Sequence, residues 1–198
     1  IVNADGTFLA AAFTAGDVTT AVSEGDDFYP DVAFDGTAWQ VVWTNIWDSS
    51  WYDYDIWQRR VTTAGAVGTQ FYSDYDGDAA IGASIAYVGG KFLAVWEKVD
   101  VTGGTPVDIA GDTNTAGTAV ADNGGAPPVI DVDSVDDGYP DVAASTSNFL
   151  VTWNSAIGAG DDDIIGVIVT TALGIGSQIT IAGGTTDQIQ NKVAFSTV

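Results

Sequence analysis

Tyr29-Pro30-Asp31-Val32-Ala33 returns letter for letter as Tyr139-Pro140-Asp141-Val142-Ala143. A weaker copy starts at Ser84 (Ser-Ile-Ala-Tyr-Val) and another at Lys192 (Lys-Val-Ala-Phe-Ser), so the sequence repeats about every 54 residues. A fixed period of this size means one supersecondary unit copied along the chain. Units begin near residues 29, 82, 139 and 190.

Each motif is followed by an alternating segment: Trp39-Gln40-Val41-Val42-Trp43, Phe92-Leu93-Ala94-Val95-Trp96 and Phe149-Leu150-Val151-Thr152-Trp153. Aromatic, small apolar and Trp side chains at i, i+2 and i+4 share one face of a strand, whereas a helix would scatter them. A third segment ends in a turn: Val-Thr-Thr-Ala-Gly at Val61, Thr-Asn-Thr-Ala-Gly at Thr113, Val-Thr-Thr-Ala-Leu at Val169, and Val-Asn-Ala-Asp-Gly at Val2. Gly after a β-rich run reads as a hairpin turn, because it tolerates positive φ. The first full unit should hold strands near 31–35, 39–44, 55–62 and 67–72.

Four short antiparallel strands per unit is the size of a propeller blade. The expected fold is all-β: about four repeats of a four-stranded antiparallel unit, propeller-like, forming a single domain over residues 1–198. The alternative is a β-sandwich, which also gives short strands at this spacing. The fourth unit should be split between the chain ends, with Ile1 in mid-repeat, as in a processed product or a piece of something longer.

The run Tyr-Pro-Asp-Val-Ala-Phe, then a strand ending Val-Val-Trp, then Asp-Ile and a Gly turn, resembles propeller-like repeats of secreted and surface proteins of bacteria and archaea. The stretch from Asp131, Asp-Val-Asp-Ser-Val-Asp-Asp-Gly-Tyr-Pro-Asp-Val-Ala, resembles FG-GAP repeats, though it lacks a tidy Asp-x-Asp-Gly-Asp-Gly run. The resemblance implies an extracellular or cell-surface location.

Composition narrows the function. The formal net charge is −22, with 27 Asp plus Glu against five Lys plus Arg. Phosphate needs cations to meet it, so nucleic acid is excluded as a partner and anionic membrane surfaces are disfavoured. No apolar run approaches the ~18 residues of a spanning helix, so no membrane insertion is expected. The chain has no Cys and no His. That removes disulfides, Ser–His–Asp and Cys–His nucleophiles, and zinc sites of the usual nitrogen and sulfur type. Carboxylate-pair glycosidase chemistry survives on residue type alone. With so many aspartates that signal is weak, and the expectation is that the chain is not an enzyme.

Two clusters look fit for calcium, a hard cation that takes carboxylate oxygens. Asp74, Asp76 and Asp78 alternate around Gly77, and Asp131 and Asp133 precede the second Tyr-Pro motif. Either cluster also reads as a solvated turn. Trp47, Trp51, Tyr52 and Tyr54 lie in a longer loop of the first unit, where aromatics suit a glycan platform, a protein interface or local packing. The aromatic-x-apolar-x-Trp strand occurs only three times, so an incomplete unit should leave an open strand edge. The leading expectation is therefore a non-enzymatic extracellular structural protein. It would polymerise head to tail through terminal strands at Phe8–Phe13 or Val193–Val198, pairing with copies of itself. The alternative is a carbohydrate- or protein-binding adhesin or lectin-like module, with or without calcium.

Overall fold

The computed structural model describes residues 26–48, 53–74, 77–99, 107–115, 128–131, 135–156, 161–189 and 191–196. Three antiparallel sheets follow one another along these residues. The first contains β1 (Asp27–Phe34), β2 (Ala38–Asp48), β3 (Asp53–Thr62) and β4 (Val67–Asp74), each paired with the next in sequence. The second contains β5 (Ala79–Val88), β6 (Lys91–Val99) and β7 (Asp108–Thr115). A bridge from Ala110 to Val129 stands where that unit's fourth strand would run. The third contains β8 (Asp137–Ala144), β9 (Asn148–Ala156), β10 (Asp162–Thr170) and β11 (Ile179–Ala182). The fold is all-β and propeller-like, with one sheet per sequence repeat.

The alternating segments decide how the sheets stack. Trp96, Ala94 and Phe92 point from β6 toward the first sheet and pack with Val42 and Ile56. Leu93 and Val95 point the other way and pack with Phe149, Val151 and Trp153 of β9. The second sheet thus presents its Trp face to the first and its aliphatic face to the third. Trp43, Trp96 and Trp153 are 4%, 0% and 0% exposed, so the repeated Trp is core in all three units. Burying an aliphatic or aromatic side chain of this kind contributes roughly 1.5–3 kcal/mol.

The indole N–H groups need partners in that core. Trp43 Nε1 donates to Asp27 Oδ1 at 2.9 Å, and Trp96 Nε1 donates to Asp74 Oδ2 at 2.8 Å. Turn chemistry recurs as well. Asp35 Oδ1 accepts from the Thr37 and Ala38 amides at 2.7 and 2.8 Å, closing the β1–β2 hairpin. Ser145 takes the same place before β9, accepting from the Asn148 amide at 3.0 Å. The left-handed turn residue after β3 is Gly65 (φ 84°), and its counterpart after β10 is Leu173 (φ 59°).

The first strand of each sheet is the innermost: β5 lies against β1 on one side and β8 on the other. The Lys192–Ser196 copy of the motif follows in the same direction. Asn191 Nδ2 donates to Thr152 Oγ1 at 2.7 Å, and the Val193 amide donates to Asp141 Oδ2 at 2.6 Å.

Candidate functional site

The repeated Tyr-Pro-Asp builds the site. In all three innermost strands the ladder slips at one place: between Phe28 and Asp31, between Ile81 and Ser84, and between Gly138 and Asp141. Two residues are pushed out of the ladder each time: Tyr29-Pro30, Gly82-Ala83 and Tyr139-Pro140. Pro is tolerated there because a bulge has no ladder bond for its missing N–H. The first bulged residue is left-handed in every unit, with φ 53° at Tyr29, 70° at Gly82 and 54° at Tyr139. Glycine takes that conformation freely; an L side chain pays roughly 1–2 kcal/mol. Two units nevertheless place a tyrosine there, and both rings are open to solvent, 60% and 71% exposed. Backbone strain retained at exposed aromatics is a feature of binding sites rather than of cores.

After the bulge, a polar residue ties each unit to the next. Asp31 Oδ2 accepts from the Ile85 amide at 2.9 Å and from Ser84 Oγ at 3.0 Å. Asp141 repeats this two units on, accepting from the Val193 amide at 2.6 Å and from Lys192 Nζ at 3.1 Å. Ser84, which stands where the first and third units have Asp, also reaches Asp141 Oδ1 at 3.1 Å. The two carboxylates therefore flank one hydroxyl.

Tyr29, Asp31, Ser84, Tyr139 and Lys192 wall a cavity of about 700 Å³ together with Gly82, Glu97 and Asn191. That is the size of a small-ligand pocket, and it sits where the units converge. Glu97, one of only two glutamates in the chain, follows Trp96 at the end of the alternating segment. Its Oε1 accepts from the Tyr139 amide at 2.6 Å. Burial pushes its carboxyl above the usual range, and the hydrogen bond from Tyr139 only partly opposes this. A run of ring contacts leads to the cavity from the β2–β3 hairpin: Tyr54 to Phe28 at 6.2 Å, then Phe28 to Tyr29 at 5.2 Å, both edge-on.

The residues singled out in the sequence fall differently. Asp74 is buried, and Asp74 and Asp78 share the Lys98 ammonium, at 3.3 and 3.7 Å. Asp131 is buried, while Asp76 and Asp133 lie outside the described residues. Among the described residues no three acidic side chains converge on a point that could hold a metal. Trp47 lies in β2 and Tyr54 in β3, so that segment is a hairpin rather than a loop; Trp51 and Tyr52 lie outside the described residues. Phe8, Phe13 and Val198 also lie outside them. The Val193 amide donates to Asp141 of the same chain.

Glu97, Tyr29 and Tyr139 were not singled out as a site. The available signals were the proline inside a strand pattern, which demands a bulge, and the polar residue after each repeated Trp: Thr44, Glu97 and Asn154.

No protein-family model and no curated protein sequence matches the chain. Solved structures do. An α-L-arabinofuranosidase from Lactobacillus brevis matches with a TM-score of 0.53 at 11% identity, over 73% of this chain and 50% of its own. The catalytic domain of a GH62 α-L-arabinofuranosidase from Coprinopsis cinerea matches with 0.50 at 10% identity, over 86% and 55%. A family 117 glycoside hydrolase from the marine bacterium Zobellia galactanivorans matches with 0.51 at 10% identity, over 83% and 58%. The chain thus spans little more than half the length of these proteins. At such identity the likeness establishes the fold, a propeller of the kind these glycoside hydrolases have. It also corrects the leading expectation. These three neighbours are glycoside hydrolases, not filament subunits, so the reading of a non-enzymatic self-assembling protein does not stand.

Proposed function

We propose that the chain is a carbohydrate-handling propeller whose axial cavity takes a neutral glycan. The observation that carries this reading is the pair of exposed tyrosines, Tyr29 and Tyr139, held left-handed at the cavity rim. Their faces offer apolar area to the C–H side of a sugar ring, while the cavity wall offers hydrogen-bonding groups for hydroxyls: the carboxylate of Asp31, the hydroxyl of Ser84 and the amide of Asn191. The net charge of −22 disfavours anionic sugars. An extracellular site of action, where polysaccharides are met, belongs to the same proposal. The test is calorimetric titration with neutral oligosaccharides, arabinose-containing ones first because two structural neighbours are arabinofuranosidases. Tyr29→Ala and Tyr139→Ala should each weaken binding by roughly tenfold, the scale of one aromatic contact. Unchanged affinity in both variants would reject the site.

Glu97 favours a second reading, hydrolysis at the same place. A carboxyl held above its usual range is fit to give its proton to a glycosidic oxygen. A carboxylate at Asp31 would take a proton from the attacking water as the bond from the anomeric carbon to the leaving oxygen breaks and the bond to water forms. Release of reducing sugar from arabinosides tests it: turnover that survives in Glu97→Gln would exclude that residue as the donor.

A further inference from the structure

We propose that Glu97 is the positioning residue for Tyr139, reaching from one unit to hold the next unit's strained tyrosine in its binding posture. This rests on the axial cavity being the glycan site. The bond is not isolated. In the preceding pair of units the residue after the repeated Trp is Thr44, and its Oγ1 accepts from the amide of the left-handed residue Gly82 at 3.1 Å. Glu97 occupies the same sequence position, and its Oε1 accepts from the amide of left-handed Tyr139 at 2.6 Å. After Trp43 and after Trp96 the next side chain thus holds the bulge of the following unit, whereas Asn154, after Trp153, donates to the Gln188 carbonyl at 3.2 Å.

The two cases differ in what has to be held. Gly82 adopts φ 70° with nothing to oppose it, and a neutral hydroxyl suffices. Tyr139 adopts φ 54° against its own Cβ, and here the acceptor is a carboxyl, which makes a shorter bond. The strong acceptor stands where the strained residue stands. Without this bond the Tyr139 amide has no ladder partner at the bulge, and the backbone is free to fall back to a right-handed conformation that swings the ring from the rim.

A double-mutant cycle separates positioning from direct contact with the ligand. In titrations with the oligosaccharide that binds the wild type best, Glu97→Ala should weaken binding about as much as Tyr139→Ala. In the Tyr139→Ala background it should lose most of that effect. Glu97→Gln, which keeps an acceptor oxygen, should fall between wild type and Glu97→Ala. Hydrogen exchange at the Tyr139 amide reads the bond with no glycan present, and it should quicken in Glu97→Ala with less change in Glu97→Gln. Equal losses from Glu97→Ala in both backgrounds, or unaltered exchange at Tyr139, would overturn the proposal. A wild type that binds no glycan while Tyr139 exchange still responds to Glu97 would overturn the glycan reading and leave the interunit bond standing. If Glu97→Ala fails to fold, the exchange comparison between wild type and Glu97→Gln decides.

Discussion

Tyr139 holds its φ of 54° in a strand whose equivalent residue, two units away from Tyr29 and one from Gly82, shows that glycine would serve the fold. Strain of this kind is lost on substitution by glycine, offset in part by the greater freedom glycine has when unfolded. Tyr139→Gly should therefore leave stability unchanged or raise it by up to about 1 kcal/mol, while removing the ring that faces the cavity. Val142→Gly, three residues on in the same strand, should lower stability instead; chemical denaturation of both variants makes the comparison. Glu97 supplies a second residue-scale outcome. Its carboxyl is raised, so the folded state binds that proton more tightly than the unfolded chain does. The stability it contributes is complete below the unfolded pKa and is lost as pH rises through the folded value. Glu97→Gln should thus melt higher than wild type near pH 7, with the difference shrinking toward pH 4. A difference that grows on acidification would contradict the assignment. Both residues sit at repeated positions, Tyr139 in the Tyr-Pro-Asp motif and Glu97 after a repeated Trp, but the repeat does not show that the first forms a bulge or that the second reaches into the next unit.

Elements were the most legible scale. The alternation of aromatic, small and Trp side chains has the period of a strand and of nothing else, so β2, β6 and β9 could be placed to within a few residues. Their buried faces followed from the same pattern. Trp153 is fully buried between the second and third sheets. Trp153→Ala should cost about 3–5 kcal/mol, as large-to-small core changes do, measured by urea unfolding. Turns were partly legible. The repeat placed both Gly65 and Leu173 in turns, but only Gly65 announced a left-handed residue, since nothing about leucine announces positive φ. Asp35 was hidden for a different reason: one aspartate among so many has no signature until its partners are seen. Burial pushes its carboxyl up, but bonds from the Ala38 amide, from Thr37 and from Arg60 outweigh this and hold it below the usual range. Its stabilisation is present above the unfolded pKa and fades as pH falls through the folded one. Asp35→Ala should lower stability by about 2 kcal/mol at pH 7, the scale of a hydrogen-bonded charged group, and by less at pH 2.

At the scale of the whole molecule, the repeat announced the architecture and the charge announced what the surface avoids. A net charge of −22 on 198 residues sets the sheets repelling one another across the solvent, and added salt screens that repulsion over about 10 Å at 0.1 M. Function was the least legible, because the cavity is assembled from residues about one repeat apart. Each of them reads alone as a turn, a core neighbour or one acid among many. The sequence offered the aromatic segment around Trp47 and Tyr54 as a glycan platform, and the described rings lead from Tyr54 through Phe28 to Tyr29. A crystal structure of the protein with a bound neutral oligosaccharide tests the central claim most directly. The account predicts a sugar ring in the axial cavity, lying against Tyr29 or Tyr139 with a hydroxyl within hydrogen-bonding distance of Asp31 or Asn191. A glycan seated only on the β2–β3 hairpin, with the axial cavity empty, would contradict it.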